Sequence, residues 1–145
     1  MDLQAFLRPA ALPVMEKEEA VSERFVEDGV PVRWRLRGIS EEENALLRRS
    51  CQKRGSGFEE PAFDRERYLK RLAAACVVYP DLKNGRLRQS WGVMGEEALL
   101  GRMLTAGEFD RLLRLAQEVC GFLTAADAEK VKGELKNGCG SETAS

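Results

Sequence analysis

The sequence predicts a mainly α fold, a compact multi-helix domain with one N-terminal β-hairpin. Two observations predict the helices. Ser40 and Thr105 each stand three residues before a glutamate, which is the capping-box pattern of a helix start, and apolar residues follow both at helical spacing. The hairpin is predicted by Asp28-Gly29, a pair favoured in two-residue β-turns, with an alternating segment after it. Connecting segments are short, so we expect the helices to bury their apolar faces against one another.

In the hairpin, a two-residue turn places Phe25 opposite Val32. Val32, Trp34 and Leu36 then share one face of the strand. The same register would place Arg24 opposite an arginine, Arg33, so a bulge or a slipped register remains open. An isolated hairpin is marginally stable in water, so this face should pack on the helices and Trp34 should lie in the core.

The helices are predicted over about residues 41–53, 64–79, 96–104 and 106–120, with a short helical turn between 81 and 94 and a weaker helix over 124–136. Apolar spacing predicts the buried face of each. The first helix should bury Ala45, Leu46, Leu47 and Cys51. The second should present an apolar face from Tyr68 to Tyr79 and end at Pro80, since proline interrupts a helix.

Length and composition set the organisation of the chain. The chain has 145 residues, of which 43% are hydrophobic and 32% are charged. We therefore expect one folded core with a heavily charged surface. We predict an N-terminal arm at residues 1–20, a domain at 21–137 and a disordered tail at 138–145. Pro9 and Pro13 argue against one long helix in the arm. Whether the arm packs on the domain or waits for a partner stays open.

The sequence also limits chemistry and location. It contains no histidine, which removes the commonest general base and metal ligand, and no CxxC pair. We therefore expect no enzyme and predict no catalytic, cofactor-binding or metal-binding residue, and the partner-binding residues stay unknown. Neither a secretory signal nor a membrane-spanning run is visible, so we expect a cytoplasmic protein with reduced thiols and no membrane partner. Its four cysteines are Cys51, Cys76, Cys120 and Cys139.

Charge leaves one alternative function open. The net charge is −1, yet residues 33–88 contain 14 Lys/Arg and 8 Asp/Glu. This segment could belong to a helical nucleic-acid-binding regulatory protein. Its basic residues are interspersed with acids on predicted polar faces, which favours a solvated surface or an acidic protein partner. The connection through residues 55–64 is also too long for the turn of a helix-turn-helix, so nucleic acid is not the expected partner.

Several short motifs follow one another in a fixed order along the chain. They are ERFV at 23–26, an acidic helix start after Ile39, the helix of Tyr68, VVYPDL at 77–82, LRQSWGV at 87–93, MLTAGEF at 103–109, GF at 121–122 and KN at 136–137. In that order and spacing, from about residue 6 to residue 137, the sequence resembles the XkdN-like phage tail assembly chaperones. It departs from the family pattern at Trp91, where a tyrosine is usual, and in the tail after Asn137.

The resemblance implies a non-catalytic chaperone that binds the tape measure protein and keeps it soluble during tail assembly. The tape measure protein is the expected partner, and the tail tube protein is a further one. The implied location is the cytoplasm of the bacterial host. The resemblance implies no cofactor.

Overall fold

Short strands and helices alternate through the computed structural model, which describes residues 2–53, 57 and 62–123. The strands are β1 Glu16–Glu19, β2 Val26–Glu27, β3 Val30–Pro31, β4 Trp34–Arg37, β5 Gln52–Lys53, β6 Ala62–Phe63 and β7 Val77–Tyr79. The helices are α1 Glu41–Ser50, α2 Arg65–Cys76, α3 Gly85–Ser90, α4 Glu96–Met103 and α5 Ala106–Val119. A single turn of 3₁₀ helix, Gln4–Phe6, precedes them.

A three-stranded antiparallel sheet organises the fold, with β4 between β1 and β7. Along the β1–β4 ladder, Glu16 faces Arg37 and Glu18 faces Arg35. Opposite charges that face one another across neighbouring strands stabilise a sheet. The acidic run of β1 is therefore matched to the arginines of β4.

This sheet corrects the predicted fold class. The prediction of a mainly α domain with one N-terminal hairpin is wrong, because β1 and β7 join β4 in a sheet and two further strand pairs, β2–β3 and β5–β6, lie outside it. Strand β1 was missed because its four residues are all charged and show no apolar alternation. Strand β7 was missed because its residues continue the helical spacing of α2, which in the structure ends at Cys76 and not at Tyr79.

The predicted hairpin turn and its register are confirmed. Asp28 and Gly29 both have positive φ, 52° and 77°, as a type I′ turn requires. Val26 faces Pro31, and the amide of Val32 donates a hydrogen bond of 2.8 Å to the carbonyl of Phe25. The paired strands are only two residues long. The chain then leaves the hairpin and enters the main sheet as β4.

The core lies between the sheet and the helices α2, α4 and α5. Trp34 and Leu36 of β4 are almost completely buried, with exposures of 1% and 0%, which confirms the prediction that Trp34 is a core residue. The helices contribute most of the other large buried side chains. Among them are Leu72, Leu99, Leu100, Leu112 and Leu115.

The helix starts follow the sequence signals. Ser40 accepts a hydrogen bond from the amide of Glu43, and Asp64 accepts one from the amide of Arg67. Thr105 and Glu108 form the complete capping box that the sequence predicts at the start of α5.

Two details of α1 differ from prediction. The helix ends at Ser50, and the next residues form β5. Leu46, expected to be buried, is 59% exposed, while Asn44 is buried. Asn44 can occupy this position because its side-chain oxygen accepts a hydrogen bond from the hydroxyl of Tyr68.

Some predictions fall on other parts of the chain. The weak helix over 124–136 and the tail at 138–145 lie outside the described residues. Among the residues that are described, no helix is long and apolar enough to cross a membrane.

Candidate partner-binding surface

The largest concentration of exposed apolar side chains lies before the first strand. We call residues 3–15 the apolar arm. Phe6 is 81% exposed and Leu12 is 90% exposed, and every residue of the arm is exposed, so none belongs to the buried core. Six large exposed hydrophobic residues cluster here: Leu3, Phe6, Leu7, Leu12, Val14 and Met15. Contiguous exposed apolar surface on a folded protein marks an interaction site, whereas single exposed residues do not.

The first half of the arm has a helix-like course. The amide of Phe6 donates to the carbonyl of Leu3 at 2.9 Å, and the amide of Ala10 donates to the carbonyl of Leu7 at 2.9 Å. Leu3, Phe6 and Leu7 have the i, i+3, i+4 spacing by which a short helix presents apolar anchors to a partner. The arm therefore combines exposure with a spacing suited to recognition.

The base of the arm is held on the domain. The amide of Gly38 donates a hydrogen bond of 3.0 Å to the carbonyl of Met15, and β1 follows directly. The ammonium group of Lys17 forms an ion pair with Glu118 of α5. The arm thus projects from a fixed point where the sheet meets α5.

A second apolar feature is a groove between α2 and α5, with a volume of about 220 Å³. Phe63 and Phe122 stand at its edges and are each about half exposed. Their separation in the chain explains why the sequence did not predict the groove. It is lined by Phe63, Arg65, Tyr68, Leu69, Leu72, Gln117 and Phe122.

A wider cleft of about 610 Å³ lies between α1, α2 and α4. Small side chains, among them Ala74, Ala75 and Ala98, form much of its wall. Arg71 and Glu97 face each other at this cleft with a hydrogen-bonded ion pair of 2.8 Å, which raises the pKa of Arg71. Glu96, which also lines the cleft, pairs with Arg88, so these charged groups already have partners.

Carboxylates form ion pairs with six of the fourteen basic residues at 33–88. Arg48 pairs with Glu41 at 2.6 Å, and the hydrogen bond from Arg48 holds the pKa of Glu41 below its ordinary value. A surface that binds phosphates needs cations available to replace counterions. The pairing therefore reduces the positive charge that this segment could offer to a nucleic acid. Among the residues of this segment that the structure describes, the other pairs are Arg37–Glu43, Lys53–Asp64, Lys70–Glu66, Arg71–Glu97 and Arg88–Glu96.

The sequence predicted no catalytic or metal-binding residue and could not identify a partner-binding one. Within residues 2–53, 57 and 62–123, no three His, Cys, Asp or Glu side chains are grouped so that they could hold a metal ion. The sequence left open whether the arm packs on the domain. In the structure its apolar side chains face solvent.

A small α+β domain with an exposed apolar arm has the form of a partner-binding protein, and comparison with known proteins identifies the family. The family model described as Phage XkdN-like tail assembly chaperone protein matches residues 3–134. The chain therefore belongs to the XkdN-like phage tail assembly chaperones, as the sequence motifs predicted. A tail assembly chaperone has a role of a non-enzymatic kind, and its partners are phage tail proteins in general.

Two proteins of Bacillus subtilis (strain 168) are similar over nearly their whole length. The Phage-like element PBSX protein XkdN is 27% identical, with 94% of each chain covered. The uncharacterized protein YqbN is 28% identical, with 94% of this chain and 93% of YqbN covered. A crystal structure of the protein YqbN has the same fold, with a TM-score of 0.73 and 26% identity over 84% of this chain and 98% of that one.

Proposed function

We propose that this protein binds the tape measure protein of a phage tail through the apolar arm and keeps it soluble during tail assembly in the bacterial host cytoplasm. Membership of the tail assembly chaperone family makes a tail protein the partner. The observation that carries the finer proposal is the group of six exposed apolar side chains that precede β1.

The tape measure protein is the partner that suits such a surface. A long tail protein with helical segments exposes apolar stripes until it is enclosed, and these stripes cause aggregation if they remain in water. Anchors at i, i+3 and i+4 fit against an amphipathic helix. Leu3, Phe6 and Leu7 would supply these anchors, and Leu12, Val14 and Met15 would extend the contact toward the domain.

The attachment of the arm also suits a chaperone that must let go of its partner. Its base is fixed at β1, while its apolar side chains are exposed and lie outside the buried core. Such a segment gives up conformational freedom when it binds, which lowers the affinity obtained from a given contact area. Modest affinity allows release when tube subunits assemble around the tape measure protein. The tail tube protein would then compete for the same partner or contact the chaperone directly.

Co-expression with the tape measure protein of the same phage tests the proposal. The variant replaces Leu3, Phe6 and Leu7 together by serine. We expect the amount of soluble tape measure protein that co-purifies to fall about tenfold or more, because a few apolar anchors carry most of the binding energy of an interface. Thermal stability should change little, since these side chains are exposed and lie outside the buried core.

Met94→Ser is the matched control, because Met94 is 92% exposed but lies far from the arm in the chain. It should co-purify with the tape measure protein as the wild-type protein does. Full retention by the triple variant would show that another surface binds. Failure of the wild-type protein to retain or solubilise the tape measure protein would overturn the proposed function itself. Retention of duplex DNA at low ionic strength would favour the alternative at residues 33–88.

A further inference from the structure

Two cysteine side chains meet where α2 and α5 end. Cys76 is the last residue of α2, and Cys120 caps the C-terminus of α5. Their sulfur atoms lie 3.4 Å apart, and both thiols are free. A disulfide bond requires about 2.0 Å between the sulfurs, so closing the pair needs a relative shift of roughly 1.4 Å.

The two thiols differ in access to solvent. Cys76 has no exposed surface, whereas Cys120 is only partly buried. An oxidant dissolved in water therefore reaches Cys120 first. Cys76 is enclosed by the core but lies within contact distance of the Cys120 sulfur, so it is placed to react next.

The surroundings also favour Cys120 as the first thiol to ionise. A hydrogen bond from Cys76 is the main cause that lowers the pKa of Cys120 to about 7. Partial burial opposes it, while the backbone of Ile39 and the charge of Arg37 add to the lowering and Glu43 opposes it more weakly. The same hydrogen bond and burial raise the pKa of Cys76. The thiolate is the reactive form of cysteine, so the accessible member of the pair is also the more nucleophilic one near neutral pH.

We infer that Cys76 and Cys120 form a reversible oxidative modification site, at which a peroxide converts the two thiols into an intramolecular disulfide bond within the native fold. The Cys120 thiolate attacks the peroxide oxygen, the O–O bond breaks, and the sulfenic acid of Cys120 forms with release of hydroxide. The Cys76 sulfur then attacks the Cys120 sulfur. The S–O bond breaks, Cys76 gives up its proton, and water leaves. Two thiols are oxidised and one hydrogen peroxide is reduced to two waters.

The resulting bond would join the C-terminal ends of two helices that contribute to the same core. Cys76 is followed directly by β7, which pairs with β4 at Leu36. Oxidation would therefore fix α2, α5 and the edge of the sheet relative to one another. A dithiol reductant restores the free pair by thiol–disulfide exchange.

The test uses the full chain with Cys139→Ser, which removes a competing thiol, and retains Cys51 as an internal control. Cys51 is buried, and its sulfur has the hydroxyl of Ser50 as its neighbour at 3.7 Å. The protein is treated with hydrogen peroxide under native conditions, alkylated after unfolding, digested without reduction and mapped by mass spectrometry. We expect a peptide pair joined through Cys76 and Cys120, alkylated Cys51, an unchanged circular dichroism spectrum and complete reversal by dithiothreitol.

Cys76→Ser tests the order of the two steps. In this variant the sulfenic acid of Cys120 should persist and be trapped by dimedone, whereas it should escape trapping in the parent. The inference is overturned if peroxide carries Cys120 to sulfinic acid while Cys76 stays free, or if cross-links form only between separate molecules. It is also overturned if Cys51 is oxidised as fast as Cys120.

Discussion

Glu108 of α5 and Arg24 of the segment leading into the hairpin are joined by two hydrogen bonds, of 2.6 Å to one carboxylate oxygen and 3.2 Å to the other. The hydroxyl of Ser22 donates to the same carboxylate, and the amide of Thr105 donates to it at 2.8 Å. Glu108 therefore completes the start of α5 and also holds the chain that enters the hairpin. Its single carboxylate links residues that are 84 positions apart.

This carboxylate should make stability depend on acid pH. The hydrogen bonds from Arg24, Ser22 and the Thr105 amide hold the pKa of Glu108 well below its ordinary value of 4.5. A lowered pKa in the folded state gives stability that is complete above the unfolded pKa and is lost as the pH falls through the folded pKa. The thermal midpoint of the wild-type protein should therefore fall from about pH 5 downward.

Glu108→Gln tests this dependence because it keeps the size of the side chain and removes its charge. At pH 7 the variant should be less stable by about 1 to 3 kcal/mol, the cost of weakening a buried network of charged hydrogen bonds. Below pH 5, the thermal midpoint of this variant should change less with pH than that of the wild-type protein. The exposed Glu42→Gln serves as control. Parallel acid profiles for Glu108→Gln and the wild-type protein would contradict the role given to this carboxylate.

Trp34→Ala should be among the most destabilising single substitutions. Trp34 is 1% exposed between the sheet and the helices, and emptying a large aromatic site in a core costs about 3 to 5 kcal/mol. Urea denaturation should show the loss as a lower midpoint. Trp91, which is only partly buried and makes an edge contact with Phe25, gives the comparison. If Trp91→Ala lowered the free energy of unfolding as much as Trp34→Ala or more, Trp34 would not be the main aromatic residue of the core.

Local signals explain what the sequence could predict. The Asp28-Gly29 turn and the caps at Ser40 and Thr105 depend on residues within four positions of one another, so they can be identified without knowing the fold. Trp34 was predicted to be buried because it shares an apolar strand face with Val32 and Leu36, and an isolated hairpin needs such a face to pack on the helices. The family was identified from the order of motifs, since each motif alone is weak.

The sheet and the groove depend on pairings that the sequence does not reveal. The charges of β1 find their partners about twenty residues later in β4, so this strand could not be identified from its own pattern. The groove edge at Phe63 meets Phe122 only after α2 and α5 pack together. The sequence also could not decide whether the apolar arm is exposed. A segment that packs on its own domain and one that binds a partner have the same apolar composition.

Gly38 should be intolerant of a larger residue for a steric reason. A Cβ atom built at Gly38 would lie 2.5 Å from the carbonyl oxygen of Val119, a backbone atom that cannot move aside by a side-chain rotation. Gly38→Ala should cost about 1 to 3 kcal/mol, the usual range for overpacking. Gly101→Ala is the matched control, since its Cβ meets open space within α4. Gly101→Ala should stabilise the protein by roughly 0.5 to 1 kcal/mol. If Gly101→Ala instead lowered the free energy of unfolding as much as Gly38→Ala does, the steric explanation would be excluded.

The hydrogen bond between Tyr68 and Asn44 should couple α2 to α1. Asn44 is 4% exposed, and the Tyr68 hydroxyl donates to its side-chain oxygen. Tyr68→Phe should cost about 1 to 3 kcal/mol, because it leaves that buried oxygen without its donor. For Asn44→Ala, the part of the stability loss that comes from breaking this hydrogen bond should be smaller. Tyr68 is only partly buried, so its hydroxyl can form a hydrogen bond with water instead. The double variant should then lose less than the two single losses together, by about 0.5 to 3 kcal/mol in a urea double-mutant cycle. Losses that add to within about 0.5 kcal/mol would show that the two helices are held by packing alone and that this bond contributes nothing to their contact.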